Sequence, residues 1–223
     1  MQINKYSYRL FFFFTILFVP FLLLGQTIET PAKNVGLGIK IGANYSSLNS
    51  SLPIQSTNSD ILPSYGLIFS YTDKKVVGIQ LEINYIQKSW IENPILSYQF
   101  ESKLDYLEIP MLTTFHFGNR LKFIVNFGPY LSILLNKESN HNVAEDSEYY
   151  DYYEYRNAKG GDFGLLGGAG LRFRNKLGIF QLEGRYSYGF QNLYSSKETK
   201  LSYSNLMSFG LHLSYQFTLV HEP

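Results

Sequence analysis

The 223-residue chain contains no cysteine, so no disulfide staples it and no lipidated cysteine anchors a mature N-terminus. Tryptophan occurs once, and neither sign of charge dominates: 19 Lys and Arg stand against 18 Asp and Glu, a formal net charge of +1. That balance implies no polyanion partner, and in particular no nucleic acid. Beyond the first 25 residues there is no long apolar run, and a helix needs about 20 apolar residues to cross a bilayer. Nothing in the pattern calls for a cofactor. Export without disulfides and without membrane helices leaves closed β-structure as a way to reach rigidity.

At the start of the chain, Lys5 and Arg9 precede a run over 10–24 broken only by Thr15 and Pro20. About 15 residues is short for a span but fits the apolar core of a secretory signal. Residues 1–25 are therefore expected to be a signal peptide cleaved near Gly25 or Gln26, with an uncleaved anchor as the alternative. The remaining 26–223 make one domain.

In that domain apolar and polar residues alternate with a period of two, which places each set on one face of a strand. Leu37, Ile39, Ile41, Ala43 and Tyr45 oppose Gly36, Gly38, Lys40, Gly42 and Asn44. Val77, Ile79, Leu81, Ile83 and Tyr85 oppose Gly78, Gln80, Glu82, Asn84 and Lys88. Met207, Phe209, Leu211, Leu213, Tyr215 and Phe217 oppose Ser208, Gly210, His212, Ser214 and Gln216. The alternation predicts strands at 35–45, 64–71, 76–88, 104–117, 121–135, 162–173, 178–188 and 204–217.

The gaps between them alternate in length. Those at 46–63, 89–102, 136–161 and 189–203 are long and polar; those at 72–75, 118–120 and 174–177 are tight. Long loops at one end and minimal turns at the other are the pattern of an up-and-down barrel in a bacterial outer membrane. The expected fold is all-β, an eight-stranded antiparallel up-and-down transmembrane β-barrel with both termini on the periplasmic side. A soluble sandwich would alternate too, so the second face decides. It carries small residues and the charges Lys40, Glu82, Glu108, Lys122, Arg172, Glu183 and Arg185. Inside a barrel this narrow, those charges must pair, which predicts a packed polar network rather than an open pore.

Tyr and Phe are abundant, 19 and 18, and Tyr suits a membrane interface, where its ring is apolar and its hydroxyl wet. Tyr45, Tyr85, Phe163 and Tyr188 near the long loops, and Tyr71, Phe117, Phe173 and Phe217 near the turns, resemble two aromatic girdles. Pro110 and Pro129 fall within strands and are expected to mark bulges.

Tyr106-Leu107-Glu108-Ile109-Pro110, Asn126-Phe127-Gly128-Pro129-Tyr130, Gly167-Gly168-Ala169-Gly170 and Arg185-Tyr186-Ser187-Tyr188-Gly189 resemble the motifs of PorT-like outer-membrane β-barrel proteins. The resemblance spans nearly the whole mature chain. It implies an eight-stranded barrel inserted by the outer-membrane assembly machinery, with no catalytic residues to carry over, and a namesake tied to a secretion system. Thr218 and the residues after it extend past the final aromatic, Phe217, where members of that family tend to end.

Catalysis would need a nucleophile beside a base. Of the four histidines, His116 lies near a turn, His141 in a long loop, His212 mid-strand and His221 in the tail. Ser208 and His212 share a face, but four strand residues separate them by about 13 Å, so the chain is expected not to be an enzyme. The outward segment 136–161 is acidic and interleaved with Tyr149, Tyr150, Tyr152, Tyr153 and Tyr155, residues well suited to contact. Its carboxylates lack the spacing of a calcium loop. The expected role is structural or interactive, among outer-membrane lipid and with an extracellular protein or glycan as a loop partner. A small pore or an accessory subunit of a protein-secretion machine is the alternative, and a lipid-modifying barrel enzyme comes third.

Overall fold

The computed structural model describes residues 34–50, 55–56, 60–72, 76–95, 98–119, 121–141, 158–194 and 203–221. The expected signal peptide and Tyr149, Tyr150, Tyr152, Tyr153 and Tyr155 lie outside the described residues. The strands are β1 (Asn34–Ser50), β2 (Gln55–Ser56), β3 (Leu62–Thr72), β4 (Val77–Ile95), β5 (Tyr98–Gly118), β6 (Leu121–His141), β7 (Gly161–Asn175), β8 (Gly178–Gly189) and β9 (Ser204–His221). Two-residue β2 rests on β4. The other eight pair antiparallel in chain order, and β1–β9 closes the ring. This is the eight-stranded up-and-down barrel that the alternation predicts.

Register sets the width of the barrel. From Val35, direct partners run through Tyr71, Ile79, Thr113, Phe127, Gly167, Tyr186 and Phe209 and return to β1 at Tyr45. The path re-enters its own strand displaced from 35 to 45, a stagger of ten residues. Eight strands tilted by such a stagger enclose a space that side chains fill.

Polarity is inverted relative to a water-soluble protein. Outside, Ile39 is 58% exposed, Leu131 64% and Leu211 56%; inside, Gln80 and Gln216 are fully buried. A continuous apolar exterior of this kind has no place in water and suits hydrocarbon. At the loop end Tyr45 and Phe163 are exposed, and at the turn end so are Phe117, Phe173 and Phe217. Tyr71, Tyr85 and Tyr188 are half-buried in the same rows.

Two expectations need correction. The stretch 89–102 is not a long loop: β4 and β5 stay paired through Trp90↔Ser102 and Glu92↔Phe100 to Ile95↔Tyr98, and β6 likewise runs on to His141. Period two persists there, but its polarity flips. Trp90, Phe100 and Leu104 point inward and are buried, while Gln87, Lys103 and Asp105 take the outer face. Strands rising above the hydrocarbon meet water, and their outer faces turn polar accordingly. The second correction concerns the prolines, which mark no bulge. Leu81↔Met111 and Asn84↔Glu108 flank Pro110 in one register, and Pro129↔Leu165 continues the register of Phe127↔Gly167. A missing N–H removes ladder bonds here without shifting the strand. Register shifts fall instead at Val35/Gly36, Glu92/Ile95 and Asp105/Tyr106.

Candidate functional site in the bridged lumen

Alternation puts Lys40 on the inner face of β1, Glu82 on β4, Glu108 on β5, Lys122 on β6, Arg172 on β7, and Glu183 and Arg185 on β8. All are buried except Lys122, which is half-buried. They do not form one cluster. Glu82, Lys40, Arg185 and Glu183 meet at the centre, Glu108 pairs higher up, and Arg172 and Lys122 lie toward the short turns.

Glu82 is the hub. Its Oε2 accepts from Lys40 Nζ at 2.5 Å, Arg185 Nη1 at 2.7 Å and Asn84 Nδ2 at 2.9 Å. Its Oε1 accepts from Arg185 Nη2 and Gln80 Nε2, each at 2.5 Å. Arg185 also pairs with Glu183, whose Oε2 accepts from Asn126 at 2.5 Å and Gln181 at 2.8 Å. Buried charges persist when they are paired, and each of these two acids and two bases has an opposite charge beside it, although Arg185 Nε is left without a hydrogen-bond partner.

β4 and β8 are four places apart in a ring of eight, so the Arg185–Glu82 pair spans the diameter. Gln181 Nε2 reaches Gln80 Oε1 across the same diameter at 3.3 Å. Nearer the turns, Arg172 Nη2 donates to Ser70 Oγ at 3.2 Å, joining β7 to the equally opposite β3. Three levels of the lumen are thus tied from wall to wall.

The outward half closes differently. Lys88 pairs with Glu108 at 3.2 Å, its Nζ lying 5.4 Å from the Tyr106 ring centre and 5.3 Å from that of Tyr130. Tyr130 donates to Asp162 at 2.7 Å. Above them Leu48, Ile86, Trp90, Leu104, Leu193, Tyr194 and Leu206 form a buried apolar cluster with Tyr106. The segment after β8 carries Leu193 and Tyr194 into the mouth. Leu193 N donates to Ser204 O at 2.7 Å, and Lys159 N donates to Leu193 O at 2.9 Å.

A cavity of about 20 Å³ remains, bordered by Lys40, Asn44, Ser64, Asn84, Arg185 and His212 among others. That is room for roughly one water. Ser64 Oγ lies 3.4 Å from His212 Nδ1, a serine–histidine approach that the sequence did not reveal because the two sit on different strands. Both are buried inside the lumen, at 1% and 5% exposure, away from any lipid on the outer wall. Ser64, Lys88, Tyr130 and Asp162 were not among the expected site residues. The signal for Lys88 was its place on the inner face of β4; the others become partners only through strand register.

A sequence profile described as an outer membrane protein beta-barrel domain matches residues 25–195. Curated proteins yield no match to the chain. Among solved structures, the barrel is similar to the outer membrane protein OprG from Pseudomonas aeruginosa, with a TM-score of 0.52 and 12% identity over 85% of this chain and 97% of that one. It is also similar to the outer membrane protein AlkL in lipid bilayers, with a TM-score of 0.51 and 14% identity over 89% of this chain and 97% of that one. At such identities the likeness is one of fold.

Proposed function

Because the chain belongs to the outer membrane protein beta-barrel domain family and resides in the bacterial outer membrane, we propose that it acts there without catalysis, as a structural or interaction protein presenting its long loops outward. The observation that carries this reading is the filled lumen. It is tied across its diameter at Arg185–Glu82, Gln181–Gln80 and Arg172–Ser70 and stoppered by Trp90, Leu193 and Tyr194. Among the described residues a lumen so filled leaves little room for water, and its serine–histidine pair faces inward, which supports contact through the loops. The partners in this reading are outer-membrane lipid, the assembly machinery that inserts the barrel, and an extracellular protein or glycan met through Tyr149, Tyr150, Tyr152, Tyr153 and Tyr155. Kinship with the narrower PorT-like group is part of the same proposal.

A second reading, a small pore or an accessory subunit of a protein-secretion machine, draws on one feature. Arg185 is shared between Glu82 and Glu183, so it has two carboxylates between which to move. Loss of secreted cargo on deletion would mark the accessory subunit, and recording from purified protein in a planar bilayer separates the pore from the first reading. A flat baseline is expected, and sustained steps of conductance in the unaltered protein would overturn the first reading in favour of the pore.

A further inference from the structure

The small cavity in the central lumen has walls of mixed hydrogen-bonding character. Lys40, Asn44, Ser64, Asn84, Arg185 and His212 border it. Among the described residues, three of these keep a buried polar atom with no hydrogen-bond partner: Arg185 Nε, Asn44 Nδ2 and Asn84 Oδ1. The two nitrogens are donors and the oxygen is an acceptor. A buried polar atom without a partner carries the full cost of its lost hydration. Here that cost is concentrated on residues that surround one space.

Glycines give these side chains their room. Gly42 is the direct cross-strand partner of both Ser64 and His212, so those two approach over a residue with no side chain. Gly66 pairs with Asn84, and Gly210 with Asn44. A Cβ on Gly66 would collide with Asn84 Oδ1, and one on Gly210 with Asn44 Oδ1 and His212 Nε2. The two asparagines thus fill the places that side chains at 66 and 210 would take.

We propose that this cavity is a binding site for one internal water molecule, held by Arg185 Nε, Asn44 Nδ2 and Asn84 Oδ1. Its volume, about 20 Å³, admits a single water, and a buried water needs two to four polar partners. Water accepts from the two donors and donates to the acceptor. An anion would meet the donors but press against the Asn84 oxygen. A cation would meet that oxygen but face Lys40 and Arg185. Those two bases are already balanced by Glu82 and Glu183, and water leaves that balance unchanged. One molecule so placed links β1, β4 and β8 at a single point, and gives the Arg185 guanidinium a partner on its remaining face.

The test is a crystal structure of the whole protein, grown from lipid and sharp enough to show single waters. One density peak is expected in the cavity, within hydrogen-bond reach of Asn44 Nδ2 and Asn84 Oδ1. After a bromide soak no anomalous signal should appear there. A bromide signal would overturn water in favour of an anion, and an empty cavity would overturn the site. Stability supplies a second reading through Asn44→Leu, which keeps the branched shape and withdraws the donor. With water bound, the substitution costs that water a partner, so the urea midpoint for unfolding from vesicles should fall. In a dry cavity it removes only an unpartnered amide, and a raised midpoint would overturn the proposal.

Discussion

Arg185 on β8 and Glu82 on β4 face each other across the full width of the barrel, two guanidinium nitrogens meeting the two carboxylate oxygens at 2.7 and 2.5 Å. Removing the carboxylate strands Lys40 and Arg185 together in a buried setting. Glu82→Ala should therefore cost about 3–5 kcal/mol, read as a lower urea midpoint for unfolding from vesicles. The double-mutant cycle with Arg185→Met should return a coupling of roughly 0.5–3 kcal/mol. Strict additivity would mean that the bridge contributes nothing.

A second prediction concerns space. A Cβ on Gly38 would collide with the backbone carbonyl of Tyr215, and one on Gly170 with that of Leu182, whereas a Cβ on Gly160 meets nothing within 4 Å. Gly38→Val and Gly170→Val should fail to give the heat-sensitive, fast-migrating band of a closed barrel on unheated gels. Gly160→Ala should give it in full.

The outer wall predicts a depth dependence. Leu211 lies mid-strand and faces outward at 56% exposure, while Leu177 sits in a turn at 73%. Leu211→Arg should destabilise by about 2–4 kcal/mol and Leu177→Arg by no more than about 1 kcal/mol. Unfolding from vesicles measures both, and equal penalties would contradict the assigned membrane band.

Topology can be read on whole cells. Protease added outside should cut between residues 142 and 157 and spare the turns at 119–120 and 176–177. Peptides released from those turns on intact cells would invert the orientation.

Much of this architecture was legible from alternation alone. Period two distinguishes Lys40 from Ile39 and Glu82 from Leu81 without any knowledge of neighbours, and alternating gap lengths give the topology. What alternation cannot supply is the partner. Arg185 finds Glu82, and Arg172 finds Ser70, only because a stagger of ten residues brings opposite strands to a common height. Register is a property of the closed ring, so neither pair is visible in any one strand. The upper hairpin was missed for a related reason. Between 89 and 102 the outer face becomes polar, so Trp90 and Phe100 read as stray apolar residues in a loop. The prolines misled through a local rule, since a lost N–H can be absorbed as missing ladder bonds while register holds.

The bridges across the lumen also bear on the order of assembly. Arg185 and Glu82 are separated by 103 residues, Arg172 and Ser70 by 102, and Gln181 and Gln80 by 101. While β1 and β9 remain apart, an open sheet holds these groups far from one another, and each charge must stay solvated by water. Their pairing comes only with the final seam. Closure is therefore the step at which the inner face loses its water, which makes joining the first and last strands the cooperative event and leaves little foothold for half-closed forms.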